Sequence, residues 1–184
     1  IVGLGADGTT LRGNTGHGIH IYGAATGNVI GTNDDGINDA LERNTIAGNT
    51  DSGVYVNSAG NVIRGNYIGT DSTGMLDRGN LQYGIVIDNV ANSVIGGTSA
   101  AARNVVSGNQ QSGISLWNTG ATGTVVFGNY VGLNAAGTDI VSNNANGIAI
   151  GGGASNNIIG GSMPGHRNVV SGNLNEGIDL TGAG

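Results

Sequence analysis

One short phrase recurs six times along the chain: a glycine followed by aliphatic, any residue, aliphatic. The copies begin at Gly18, Gly53, Gly84, Gly113, Gly147 and Gly177. They are spaced 35, 31, 29, 34 and 30 residues apart. A nearly fixed period of this size indicates a stack of similar units, each burying its apolar residues against the next. The chain is therefore predicted to form a solenoid.

Two further β-branched runs lie between successive copies of this phrase. One is a pair of valines or isoleucines, such as Val94-Ile95, and the other follows an asparagine, as in Asn104-Val-Val106. These runs are too short for helices and are bounded by Gly, Asn or Ser, which are turn residues. Three short strands per coil predict an all-β fold, a right-handed parallel β-helix of about six coils, in which each strand pairs with its equivalent one coil away.

The loops between these runs alternate in length from coil to coil. Asn104 lies 9 positions after Ile95. In the preceding coil, Asn66 lies only 3 positions after Ile63. The repeating unit is therefore two coils, about 64 residues.

Alternation along a strand predicts which side chains of the repeated phrase are buried, because successive residues point to opposite faces. The residues predicted to face one aliphatic core in the central coils are Ile85, Ile87, Ile114, Leu116, Ile148 and Ile150. The outward column between them is His20, Tyr55, Val86, Ser115, Ala149 and Asp179.

An asparagine precedes every copy of the phrase. The column is Asn14, Asn49, Asn80, Asn109, Asn143 and Asn173. A stacked asparagine can bond its amide to the copies above and below, and it tolerates the left-handed backbone of a tight corner. We expect a structural asparagine ladder rather than a chemical site.

Composition excludes several classes of function. All six basic residues are arginine and the net charge is −6, so nothing in the chain is suited to neutralising a phosphate backbone and no nucleic-acid partner is expected. The absence of cysteine removes disulfides and thiol nucleophiles. No apolar stretch is long enough to predict a membrane span.

Residues 1–184 are predicted to form a single β-helix domain, a fragment of a longer repeat protein. The first residue falls in the middle of a coil, and neither end carries the polar capping sequence that a solenoid terminus needs. We therefore expect further repeats in the parent chain or end-to-end self-association through unpaired strand edges.

The repeated phrases resemble those of a known group of proteins. Gly65-Asn-Tyr-Ile-Gly-Thr-Asp-Ser-Thr-Gly74, Val94-Ile-Gly-Gly97 and Arg103-Asn-Val-Val-Ser-Gly-Asn109 are similar to the β-helix repeats of the pectate-lyase-like superfamily, especially tandem modules of large bacterial secreted and surface proteins. The resemblance covers essentially the whole chain. It implies an extracellular or cell-surface location, but the superfamily contains lyases, hydrolases, adhesins and passive stalks, so it does not choose among functions.

Two groups of side chains are candidates for ligand binding. Arg43, Arg103 and Arg167 each precede a strand asparagine on alternate coils, and such a row could meet the carboxylates of an acidic polysaccharide. The alternative is that each arginine ties down a neighbouring loop by bonding its carbonyls. His20 and Tyr55 are neighbours in the outward column and could contact a sugar, as could Tyr22 and Trp117, which follow the repeated phrase.

The loop Gly31 to Glu42 is five residues longer than its equivalents in other coils. It matches a twelve-position calcium loop from the third position onward, with Gly36 at the turn, and it resembles the calcium loops of thrombospondin type 3 repeats. The ligands would come from Asn33, Asp35, Ile37 through its carbonyl, Asp39 and Glu42. Gly31 replaces the usual first aspartate, so we expect weak Ca²⁺ binding, with a solvated acidic loop as the alternative.

Two functions from different classes remain open. The first is a non-enzymatic extracellular solenoid segment, a stalk, adhesin or filament-forming unit, which is favoured by regular repeats and the lack of an acid cluster. The second is a polysaccharide-binding or polysaccharide-cleaving module of the pectate-lyase-like type, favoured by the arginine row and the acidic loop. No set of converging catalytic acids and bases can be read from the sequence, which favours a non-enzyme.

Overall fold

Short β-branched strands alternate with tight corners throughout the computed structural model, which describes residues 1–182. In chain order the strands are β1 (Ile19–Tyr22), β2 (Val29–Gly31), β3 (Thr45–Ile46), β4 (Val54–Asn57), β5 (Val62–Arg64), β6 (Tyr67–Ile68), β7 (Ile85–Asp88), β8 (Val94–Gly96), β9 (Val105–Val106), β10 (Ile114–Trp117), β11 (Val125–Phe127), β12 (Tyr130–Val131), β13 (Ile148–Gly151), β14 (Ile158–Ile159), β15 (Val169–Val170) and β16 (Ile178–Thr181). A single turn of 3-10 helix, Asp39–Leu41, lies in the long acidic loop. None of the helical structure in residues 1–182 has the length and apolarity needed to cross a bilayer.

The strands form three parallel sheets, one for each position in the coil. Sheet A runs β1-β4-β7-β10-β13-β16, sheet B runs β2-β5-β8-β11-β14, and sheet C runs β3-β6-β9-β12-β15. Each strand pairs in parallel with its equivalent in the next coil, for example Ile114 with Ile85 on one side and with Ile148 on the other. The predicted all-β parallel solenoid with three strands per coil is therefore confirmed.

The solenoid contains about five turns rather than the six expected from the sequence. Sheets B and C have five strands each, and only sheet A has six. The segment before β1 adds one isolated parallel bridge, between Val2 and Ile46, because its other residues form a loop in which Leu4 bridges Leu11. The six copies of the phrase thus correspond to six strands of sheet A but not to six complete coils.

One aliphatic core fills the space between the three sheets. The six side chains predicted to point inward are 0 to 5% exposed. They belong to a single cluster that also takes Ile63, Ile95 and Val126 from sheet B and Ile68, Val106 and Val131 from sheet C. The inward pattern predicted from alternation is confirmed.

The asparagines before sheet A form a hydrogen-bonded ladder along the solenoid. In each step the side-chain Nδ2 donates to Oδ1 of the asparagine in the next coil, at 2.8 to 2.9 Å. Asn49, Asn80, Asn109 and Asn143 are fully buried. The buried amides therefore satisfy one another where the backbone leaves one sheet and enters the next.

A glycine directly after β6 makes room for this ladder. Gly69 has a φ of 91°. A Cβ at this position would lie 2.6 Å from Oδ1 of Asn109 and 2.1 Å from the carbonyl oxygen of Ser107. Any larger residue would combine an unfavourable backbone conformation with a clash against the ladder.

Similar ladders occupy the other two corners. Before sheet C, Nδ2 of Asn44, Asn66, Asn104 and Asn129 each donates to the next asparagine, at 2.9 to 3.1 Å, ending on Asn168. Before sheet B, Asn28 donates to Asn61, but Ser93 and Thr124 stand at the next two positions. Their shorter side chains cannot continue an amide ladder, so fewer side-chain hydrogen bonds connect successive coils at this corner.

The alternation of long loops has a steric explanation in the structure. The loops between sheets C and A contact each other across two coils: the backbone N–H of Ser72 donates to the carbonyl of Gly8, and that of Ala135 donates to the carbonyl of Gly74, at 3.0 and 2.9 Å. One coil rises only about 4.8 Å, which is thinner than a loop with its side chains, so a stack of loops fits at intervals of about 9.6 Å. The two-coil repeat is therefore the shortest period that lets such loops pack on one another.

Candidate functional site

The outer face of sheet A carries a groove with a cavity volume of about 290 Å³. Its floor is part of the outward column, with Val86 6% and Ser115 4% exposed. These two side chains lie outside the continuous aliphatic core, on the outer face of the sheet. One wall lies before the strands and contains Ser52, Gln82 and Tyr83, and the other lies at their ends and contains Asp88, Trp117 and Asn118.

Trp117 is an aromatic platform held against the next coil. It pairs in register with Gly151, and a Cβ on Gly151 would lie only 2.3 Å from Cζ3 of the indole. The ring therefore rests on the glycine backbone, an arrangement that any side chain at this position would prevent. The indole is still 44% exposed, so a large apolar surface is held in place at the groove and remains open to a ligand.

Tyr55, Asp88 and Asn118 form a hydrogen-bonded network at the groove. The Tyr55 hydroxyl donates to Oδ2 of Asp88, and Nδ2 of Asn118 donates to Oδ1 at 2.7 Å. Burial, followed by the hydrogen bond to Asp88 and the charge of Asp88, raises the pKa of Tyr55 to about 12. The phenol therefore stays protonated at physiological pH and keeps the carboxylate in one orientation.

The groove continues into a cluster of aromatic rings at the first two coils. His17 stacks on Tyr55 with ring centroids 4.5 Å apart, and His20 lies 5.4 Å from Tyr55 and 4.8 Å from Tyr22. The backbone N–H of Ser52 donates to Nδ1 of His17 at 3.2 Å. Burial lowers the pKa of His17, Asp51 acts in the opposite direction, and His20 lowers it further. The structure thus brings His20 and Tyr55 together, as the outward column predicts.

The Arg43–Arg103–Arg167 row does not line this groove. The guanidinium carbons of Arg43 and Arg103 lie 4.1 Å from the ring centroids of Tyr67 and Tyr130. Their Nε atoms donate to the carbonyls of Gly65 and Gly128, at 3.2 and 3.3 Å.

These contacts on the next coil are those expected of arginines that tie down neighbouring backbone. Arg167 is exposed beside Pro164 and Gly165. The contacts of Arg43 and Arg103 therefore favour a structural role over ligand binding at these two positions.

The acidic loop holds its side chains on its own backbone. Glu42 accepts a hydrogen bond from the N–H of Asn33 at 2.9 Å, Asp39 from the N–H of Gly36 at 3.1 Å, and Asp35 from the N–H of Ile37 at 2.8 Å. Within residues 1–182 no three acidic or histidine side chains are grouped as a metal site. Calcium binding would require these hydrogen bonds to be exchanged for metal–oxygen bonds, and it stays a prediction.

The sequence analysis names Trp117 as a candidate sugar contact but misses several of its neighbours in the groove. Asp88 belongs to the same column, which follows the repeated phrase, and is paired in register with Trp117. His17, Ser52 and Tyr83 belong to the column that precedes its glycine. Both columns can be written down from the repeat spacing alone, but that spacing gives no sign that their side chains converge over Val86 and Ser115.

Comparison of the chain with protein-family models found no match, and neither the curated proteins nor the solved structures gave one. The function must therefore be inferred from the groove itself.

Proposed function

We propose that this chain is a non-enzymatic extracellular solenoid segment with a structural and adhesive role, and that the groove on sheet A is its glycan-binding surface. The observation that carries the proposal is Trp117, whose indole is fixed on the Gly151 backbone and yet exposed to the groove. A pyranose ring presents C–H groups on its faces and hydroxyls around its edge. An aromatic platform with polar groups beside it matches both parts of that ring.

The number of carboxylates that line the groove favours glycan binding over glycan cleavage. Asp88 is the one carboxylate among the described residues that line the cavity, and both of its oxygens already accept hydrogen bonds. Glycoside hydrolysis needs two carboxyl groups about 5 to 9.5 Å apart, one of them free to exchange a proton. A lyase needs a base positioned at the substrate, and the arginines Arg43 and Arg103 are instead engaged with tyrosine rings and carbonyls.

The repeated phrases are the basis for the extracellular location and the structural role. Membership of the pectate-lyase-like superfamily and similarity to tandem modules of bacterial surface proteins would place the chain outside the cell. A structural role also includes stacking on further turns, either of the same chain or of a second copy.

The test is a glycan array probed with the wild-type chain and with Trp117→Ala. We expect binding by the wild type and at least a tenfold weaker signal for the variant, which corresponds to roughly 1.4 kcal/mol. Leu41→Ala removes another exposed apolar side chain, which lies in the acidic loop outside the groove, and serves as the control. Bound glycans are then recovered and analysed by mass spectrometry.

Intact glycans support a binding module, whereas shortened or unsaturated products would establish the polysaccharide-cleaving alternative. Wild-type binding that Trp117→Ala leaves unchanged would place the adhesive surface elsewhere. No binding to any glycan would leave only the structural part of the proposal.

A further inference from the structure

We propose that the groove on sheet A selects neutral glycans and excludes polymers of uronic acids. This inference rests on the proposed glycan-binding function and adds the class of ligand. It runs against the expectation that the arginine row would bind an acidic polysaccharide. Two features of the groove carry it: its charge and its hydrogen-bonding capacity.

The groove offers no cation to an acidic sugar. Among the described residues that line it, Asp88 is the one acidic or permanently charged side chain, and lysine is absent from the sequence. His17 also lines the groove, but burial lowers its pKa below the ordinary 6.5, so its imidazole is neutral at pH 7. Arg43 and Arg103 lie against tyrosines of sheet C, while Nε of Arg64 donates to the Thr32 carbonyl and Nε of Arg78 to the Thr9 carbonyl. A polyanion entering the groove would therefore lose part of its hydration and meet one fixed negative charge without compensation.

Asp88 discriminates through hydrogen bonding as well as through charge. The Tyr55 hydroxyl and the Asn118 amide each occupy part of its acceptor capacity and fix its plane. A carboxylate has further lone pairs, so Asp88 can accept a hydrogen bond from a sugar hydroxyl. It cannot bond to another ionised carboxylate, which has no hydrogen to donate.

The size of the groove suits a short stretch of a glycan chain. Trp117 and Tyr55 belong to strands two places apart in sheet A, so they stand about 9.6 Å apart across the strands. Val86 and Ser115 lie between them on the floor. The cavity of about 290 Å³ is at the lower end of the ~300–1,000 Å³ typical of ligand pockets. It therefore takes only a small part of a polymer and leaves the rest outside.

The experiment is isothermal titration calorimetry with a panel of neutral hexasaccharides and with uronate hexasaccharides of the same length. We expect at least one neutral oligosaccharide to bind, with an affinity that changes less than twofold between roughly 50 and 500 mM NaCl, because no ion pair is formed. We expect uronate binding to be at least tenfold weaker than the best neutral ligand. Trp117→Ala should lose the neutral binding.

A positive charge introduced into the wall tests the reason for the selectivity. Gln82→Arg introduces a cation at an exposed position that lines the groove, and Gln82→Met is the neutral control. The arginine variant should gain salt-sensitive uronate binding while the methionine variant should not. Failure of Gln82→Arg to gain any uronate binding would overturn charge as the basis of selection.

The oligosaccharide panel also distinguishes a failure of the neutral-glycan inference from a failure of the proposed glycan-binding function. Wild-type binding to uronates in preference to neutral sugars would overturn the neutral-glycan inference and leave glycan binding intact. Binding to no oligosaccharide of either class would overturn both.

Discussion

Replacing Asn109 by alanine tests whether the ladder holds the solenoid together. Asn109 is fully buried in the central coils. Its Oδ1 accepts from the backbone N–H and from Nδ2 of Asn80, at 3.3 and 2.9 Å. Its Nδ2 donates to Oδ1 of Asn143 at 2.9 Å and to the carbonyls of Ile68 and Ser107, both at 3.3 Å. One side chain thus connects three successive coils.

The expected loss in the free energy of unfolding depends on which polar groups lose a hydrogen-bond partner. Nδ2 of Asn80 keeps the carbonyl of Ile46 at 3.3 Å, and Oδ1 of Asn143 keeps the backbone N–H of Asn109 at 3.1 Å. The backbone N–H of Asn80 is left buried without its acceptor, at about 1–3 kcal/mol. Adding the lost net contribution of the Nδ2 bonds, about 0.5–1.5 kcal/mol, gives an expected loss of roughly 1.5–4.5 kcal/mol in the free energy of unfolding.

The assay is urea unfolding followed by circular dichroism, with Asn14→Ala as the matched control. Asn14 donates to Asn49 in the same ladder but is exposed at its first rung, and Oδ1 of Asn49 keeps the backbone N–H of Asn14 at 3.2 Å after the substitution. Water can satisfy the remaining groups there, so a loss of less than about 1 kcal/mol is expected. Equal losses at the two positions, or an unchanged Asn109→Ala variant, would refute the reasoning.

Three further predictions concern the core, the arginine row and the acidic loop. Ile114→Ala should lower the free energy of unfolding by roughly 2–5 kcal/mol, since it opens a cavity in a continuous core; a smaller change in urea unfolding than that of Leu41→Ala would contradict this. Arg103→Lys should lose about 1 kcal/mol of stability, because an ammonium cannot both cover Tyr130 and keep the Nε bond; a change in glycan affinity with no change in melting temperature would instead indicate a ligand role. Millimolar Ca²⁺, acting in competition with the loop's own hydrogen bonds, should raise the melting temperature of the wild type but not of Glu42→Gln; no shift in the wild type, or the same shift in both, would remove calcium from this loop.

The sequence determined the fold because a solenoid is specified locally. Each coil contacts only its neighbours, so a repeat that places β-branched runs and corner asparagines at a fixed period leaves few alternatives. The inward set around Ile114 and the columns of Asn109 and Tyr55 could be read from strand alternation and spacing. The number of complete coils could not, because the segment around Val2 carries part of the repeat but adds only a single bridge.

Only the tertiary structure decided where a ligand could bind, because a binding surface depends on side-chain direction between coils. Register gives the neighbours of Trp117, but it does not show that its indole turns onto Gly151 and stays exposed. The same is true of Arg103. Its position in a row on alternate coils fits either a surface for acidic polymers or a tie to a neighbouring loop, and only the structure shows that its guanidinium lies on Tyr130. Sequence period fixes how backbones stack, whereas rotamers respond to the particular residues of the next coil, and these vary from one repeat to another.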